Sequence, residues 1–207
     1  MKIIDISWPI TEGMTAYKDH KVVKIEATKD FERDGVREHK VTLGTHTGTH
    51  IDSPAHFLRD GITVDQIPFD RLVGECRVLD LTHIDEKIGA EDLEKFDIQK
   101  DEIILLKTKN SFLGPEDAFK YDFIYLDHTG AEFLAAKGIK SIGVDYLGIE
   151  RNQKGHESHL AFFKKQIPII EGLRLGALQE ERYFLSCLPI NLLSLEAAPV
   201  RAVVVYR

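Results

Sequence analysis

The stretch Phe123-Ile124-Tyr125-Leu126-Asp127-His128-Thr129-Gly130-Ala131-Glu132-Phe133-Leu134-Ala135-Ala136-Lys137-Gly138-Ile139-Lys140-Ser141-Ile142-Gly143-Val144 points to the fold class. Two apolar runs of strand length, Phe123 to Leu126 and Ile139 to Val144, enclose a helix-length segment, Thr129 to Lys137. Thr129 and Glu132 have capping-box spacing, and Gly138 stands where a left-handed C-terminal glycine belongs. Parallel strands need a crossover of this kind, so residues 123–144 predict a βαβ unit. Outward from it, Lys2 to Ile6, Lys21 to Ala27, Val36 to Leu43, Arg77 to Leu81, Glu102 to Lys107, Tyr183 to Cys187 and Val200 to Tyr206 are further strand candidates. Ala90 to Phe96 and Ser158 to Gln166 are the other helix candidates; Leu160 and Phe163 share a face of the second, and Pro168 lies beyond it. No repeat, low-complexity tract or linker divides the chain. The expectation is an α/β fold: one domain over residues 1–207, with a strand-rich mixed sheet and few helices.

The composition narrows the function. With 27 Lys and Arg against 34 Asp and Glu, the net charge is −7, and no basic run exists to neutralise phosphates. Nucleic acid and anionic membrane are therefore poor partners. The apolar runs are too short to span a bilayer. Asp5 stands where a signal peptide needs its apolar centre, which points to a cytoplasmic protein. Cys76 and Cys187 are isolated in apolar stretches and read as buried free thiols in a reducing compartment.

The chemistry concentrates in Leu43-Gly44-Thr45-His46-Thr47-Gly48-Thr49-His50-Ile51-Asp52-Ser53-Pro54-Ala55-His56. Imidazole and carboxylate together form a ligand set for zinc, manganese or iron. Glycines, Pro54 and β-branched residues oppose a helix here. In an extended chain His50 and Asp52 share one face, with side chains starting roughly 6–7 Å apart. His46 then lies about 13 Å from His50 unless the chain folds back, and Gly48 is the residue best able to allow it. His56 lies past Pro54, where a group near the ion but not bound to it serves as a general acid/base.

The run His46-Thr47-Gly48-Thr49-His50-Ile51-Asp52-Ser53-Pro54-Ala55-His56 resembles H-x-G-T-H-x-D-x-P-x-H, the signature of the cyclase-like metal-dependent hydrolases. That family includes bacterial kynurenine formamidase and isatin hydrolase. Asp5-Ile6-Ser7 with Pro9-Ile10, and the run Gly138 to Asp145, are similar to other parts of the family pattern. The resemblance implies a swivelling β/β/α domain, a homo-oligomer (dimer or tetramer) and a small-molecule substrate. It implies His46, His50 and Asp52 as metal ligands and His56 as the proton-transfer residue. His159 and Glu171, twelve residues apart, match a second ligand pair. His156 is a rival for His159, because positions i and i+3 share a helix face; the spacing to Glu171 favours His159. The isatin hydrolase branch has an amide at this glutamate, so Glu171 implies two divalent ions, with zinc or manganese the candidates.

The reaction implied is hydrolysis of a non-peptide carbon–nitrogen bond, arylformamidase-like, with N-formylkynurenine as candidate substrate. Ester, lactone or lactam hydrolysis would use the same residues, and a metal-binding domain without turnover is the reading from another class. Trp8, Tyr17 and the Phe162-Phe163 helix are the expected aromatic walls. The stretch Met14 to His20 departs from the Trp-Pro-Gly-Asp-like turn of kynurenine formamidases.

Overall fold

A computed structural model describes residues 1–206. The strands are β1 (Lys2–Asp5), β2 (Lys24–Lys29), β3 (Glu38–Thr42), β4 (His50–Asp52), β5 (Val73–Asp80), β6 (Lys87–Ile88) and β7 (Ile103–Lys107). They continue with β8 (Tyr125–Leu126), β9 (Ser141–Val144), β10 (Ile169–Glu171), β11 (Arg182–Ser186), β12 (Ala197–Pro199) and β13 (Val203–Tyr206). The helices are α1 (Phe31–Asp34), α2 (Ala90–Leu93), α3 (His128–Lys137) and α4 (Glu157–Phe163).

Nine strands form one mixed sheet in the order β1-β13-β11-β5-β7-β9-β10-β4-β12. Strands β5, β7, β9 and β10 run parallel, and antiparallel strands flank them on both sides. A bridge between Ser7, just after β1, and Leu173, just after β10, joins distant parts of this order, so the sheet is curled. β7 shows why an unbroken apolar run suits the centre. Ile104 and Leu106 point to one core with α3 and α4, and Ile103 and Leu105 point to the other. Each such side chain contributes roughly 1.5–3 kcal/mol on burial. Gly143 of β9 lies against the second core; a Cβ there would come within 2.6 Å of Leu105 and Leu173.

The βαβ expectation is corrected in one respect. β8 pairs with β6 in a separate two-stranded sheet, and the parallel neighbours of β9 are β7 and β10. Helix α3 is present, but Asp127, not Thr129, caps it: its carboxylate accepts from the Thr129 and Gly130 amides. Thr129 donates its hydroxyl to the same carboxylate. Gly138 ends the helix at φ 71°, as expected of a left-handed cap. Cys76 and Cys187 are free and buried. Among the described residues no helix is long and apolar enough to cross a membrane. The hairpin β2–β3 forms its own sheet and exposes Ile25, Phe31, Val36 and Val41.

Candidate metal centre

β4 presents His50 and Asp52 on one face and sends Ile51 into the core on the other, because strand side chains alternate. β10 runs antiparallel beside it with Glu171 opposite His50. Strand register alone thus brings three donors together. Gly48 adopts φ +61°, and the chain reverses there to place His46 Nδ1 2.8 Å from Asp52 Oδ1. Gly172, at φ +70°, closes against this turn: a Cβ on it would sit 2.4 Å from the Gly48 carbonyl oxygen. Thr49 ties the two segments. Its hydroxyl donates to the Gly172 carbonyl at 2.6 Å and accepts from the Trp8 amide at 2.6 Å.

His159, on α4, supplies the fourth side. The Nε2 atom of His50 lies 3.3 Å from Asp52 Oδ1 and 3.5 Å from Glu171 Oε2. That of His159 lies 3.7 Å from Asp52 Oδ2 and 3.6 Å from Glu171 Oε1. Each carboxylate therefore turns one oxygen to each histidine. Ligands about 2.0–2.1 Å from a tetrahedral ion sit roughly 3.3 Å apart, so these separations fit donors arranged around cations. His50 Nε2 and Asp52 Oδ1 are buried without an aligned hydrogen bond even though His46 Nδ1 is close to the latter, which is costly unless something else satisfies them. The Nδ1 of His50 faces the Gly48 carbonyl at 2.9 Å, a contact that calls for a proton on Nδ1 and aims Nε2 at the carboxylates.

Charge inside this cage is balanced against burial. Burial opposes the imidazolium of His50, but the Asp52 and Glu171 carboxylates override it and hold its pKa at about 10. Burial likewise pushes the Asp52 carboxyl up, yet His50 and the hydrogen-bonding histidines hold it well below the usual range. Burial and the Asp52 charge raise Glu171, but His159 and His50 bring it down to about 2. A site that binds protons this firmly beside two ionised carboxylates is also suited to divalent cations.

His56 sits on a short 3₁₀ turn, Pro54–His56, its ring centroid 4.3 Å from that of His46 and 6.0 Å from that of His159. Burial lowers its pKa and outweighs the opposing pull of Asp52, so the ring is neutral near pH 7. Gly61 packs against this turn so closely that a Cβ would lie 2.3 Å from the Pro54 carbonyl carbon. A cavity of about 450 Å³ opens on the cage, with Tyr17, Phe57, Leu147 and Gln153 among its walls. A smaller one of about 150 Å³ adjoins it past Tyr17, His46 and Leu147, lined by Met14, Val22 and Val23. Of the expected walls, Tyr17 lines both cavities. Trp8 is buried against Tyr146 and Arg174, and Phe162 and Phe163 lie wholly in the core. A buried, unbroken aromatic pair has no face left for a pocket.

The remaining sequence candidates are also accounted for. His156 does not reach the cage; its Nδ1 bonds Glu150 Oε1 at 2.7 Å and its ring stacks on Phe57. Glu150 and Glu196 are additions that sequence reasoning missed. Glu150 Oε1 lies 3.1 Å from His159 Nδ1, and Glu196 Oε1 lies 3.3 Å from His46 Nε2. Neither stands in a motif; only the buried position next to Ile149 hints at Glu150.

The model of the Cyclase family matches residues 4–151, which include the whole His46 to His56 run. A kynurenine formamidase of Bacillus anthracis is 35% identical over 205 residues, covering 98% of this chain and 97% of that protein. A solved structure described as a potential metal-dependent hydrolase with cyclase activity is 41% identical, with a TM-score of 0.89 over 98% of this chain and 96% of its own. Isatin hydrolase A from Labrenzia aggregata shares the fold, with a TM-score of 0.85 at 20% identity over 98% of this chain and 93% of its own. With the family match over most of the chain and a relative of this identity aligned nearly end to end, the chain belongs to the cyclase family.

Proposed function

We propose that this chain is a metal-dependent hydrolase of non-peptide carbon–nitrogen bonds, arylformamidase-like. The observation that carries the reading is the pair Asp52 and Glu171, each turning one oxygen to His50 and the other to His159. His46, His50, Asp52, His159 and Glu171 would hold two divalent ions, zinc or manganese. When bound, such ions supply Lewis acidity: they polarise a carbonyl and lower the pKa of water from about 16 toward roughly 7.

The chain's own residues do the rest. His56 makes no ion pair with a carboxylate among the described residues, is neutral near pH 7 and faces the same cavity, so it can take a proton from the attacking water. It then returns that proton to the leaving nitrogen. For a formamide, water adds to the formyl carbon, the C–N bond breaks, and formate and an amine result. Tyr17, Phe57 and Leu147 present apolar surface to an aryl group, and the smaller cavity past Tyr17 extends that surface. N-formylkynurenine is the candidate substrate, supported by the relative of that activity. The two buried free thiols support a cytoplasmic setting.

A homo-oligomer is part of the same reading. An isolated two-stranded hairpin is marginal in water, and β2–β3 exposes four large apolar side chains. A second copy of the chain would cover them. Sedimentation should find a dimer or tetramer, and Phe31→Asp with Val41→Asp should weaken it; a monomeric wild type would refute this part.

Turnover of N-formylkynurenine, N-formylaniline, isatin and an aryl lactone by zinc- and by manganese-loaded protein tests the enzyme. The formamides should be cleaved with the higher kcat/KM. Activity on none of the four, in fully loaded protein, would defeat the hydrolase reading.

A further inference from the structure

Just outside the cage lies a second group of donors. Glu150 Oε1 is 2.7 Å from His156 Nδ1 and 3.1 Å from His159 Nδ1, and all three side chains line the larger cavity. Ligand atoms of these three residues lie within 4.8 Å of one another. Glu150 is fixed through its other oxygen, which accepts from the Ser158 and His159 amides at 3.2 and 3.4 Å. His159 is more than nine-tenths buried, and its Nδ1 has no aligned hydrogen-bond partner despite the nearby carboxylate. His156 is the outward-facing member: its side chain is 53% exposed and it holds a left-handed backbone, φ 55°. That conformation is uncommon for a non-glycine residue, so the surroundings must hold it.

We propose that Glu150, His156 and His159 Nδ1 form an outer divalent-cation site that competes with the cage for His159. A neutral imidazole has one lone-pair nitrogen. To serve the cage through Nε2, His159 carries its proton on Nδ1, facing Glu150. To serve the outer site through Nδ1, it must move that proton to Nε2, and the cage loses the ligand. Occupation of the two sites is therefore antagonistic, and the antagonism is reciprocal. The outer site has three protein donors and opens to solvent, so waters complete it and it binds more weakly than the cage. The cage keeps Asp52 and Glu171, so its ions are loosened, not expelled. Excess cation thus acts as an inhibitor, and His156, at the cavity mouth, decides at what concentration.

The test is zinc uptake by the full chain, loaded at the cage and then dialysed against rising free zinc. Wild type should take up one further, weaker ion. His156→Asn, chosen because asparagine tolerates the left-handed backbone, should shift that uptake to at least about tenfold higher zinc, with cage occupancy unchanged. Glu150→Gln should weaken it as well. Where turnover is measurable, inhibition by excess zinc should move by the same factor. Equal uptake curves for wild type and His156→Asn, or no further ion in wild type, would overturn the proposal. Uptake is scored without any substrate, so a chain inactive on amides would fail the hydrolase reading and leave this one standing.

Discussion

Gly172→Ala tests how the cage is assembled. Gly172 holds φ +70°, and an added Cβ would lie 2.4 Å from the Gly48 carbonyl oxygen, where ordinary contact begins at 3.4 Å. The backbone conformation alone costs an alanine about 1 kcal/mol. Relief of the clash must also move the two turns apart. That disturbs the hydrogen bond from Thr49 Oγ1 to the Gly172 carbonyl, 2.6 Å, and the contact of His50 Nδ1 with the Gly48 carbonyl, 2.9 Å. At about 1 kcal/mol for each buried bond, the loss comes to about 3 kcal/mol. For a chain of this size that lowers Tm by about 6–12 °C. Gly35→Ala is the control. Its φ is +69°, but nothing lies within 4 Å of the added carbon. It carries only the backbone cost and should lower Tm by about 2–4 °C. Metal affinity separates the two further. Gly172→Ala leaves His50 without its orienting carbonyl and should bind zinc about 10–100-fold more weakly, whereas Gly35→Ala should bind it normally. Calorimetric melting and zinc titration measure both. Equal Tm shifts, or unimpaired zinc binding by Gly172→Ala, would refute the claim that the Gly48–Gly172 contact builds the cage.

Two further outcomes follow from the cage and the groups around it. His56→Ala should retain its metal and lose about 10²–10⁴-fold in kcat, since proton transfer matters in the transition state and not in metal binding; a metal-free variant would make His56 a ligand instead. In metal-free protein the carboxylates hold His50 cationic to about 10, above its ordinary value near 6.5. That pairing stabilises the fold fully below pH about 6.5 and fades as pH rises toward about 10, so melting of the metal-free chain should weaken across that window. Zinc displaces the proton in advance, and the loaded chain should lose less; parallel slopes would count against His50 as a ligand.

The closeness of His46, His50 and Asp52 is more legible in the sequence than the pairing of the strands around them, for a physical reason. The alternation that pairs His50 with Asp52 is a property of three residues, and the turn between His46 and His50 needs a residue that accepts positive φ, which only Gly48 supplies. Both are local, so both are legible. The partner of β8 is not. Phe123 to Leu126 looks like any buried strand, and only packing assigns it to β6 and not to the main sheet. The same holds for Asp127. Its carboxylate takes the free amides at the start of α3, and the capping-box spacing that points to Thr129 does not show where the helix begins.

The aromatic walls mark the same boundary. Phe162 and Phe163 share α4 with His159, and nothing in the order of residues says that both rings enter the core while His159 faces the cavity. The helix decides it by rotation: it turns the imidazole toward Glu171 and has no surface left for its phenylalanines. Phe57, which follows His56 directly, takes the wall position and stacks on His156. Glu150 becomes visible only at this level too. It lies outside the strands and is brought to His159 by the turn after β9 and the start of α4. The first three donors, His46, His50 and Asp52, are set by spacing along the chain, whereas Glu171, His159 and Glu150 join them only through how distant segments pack.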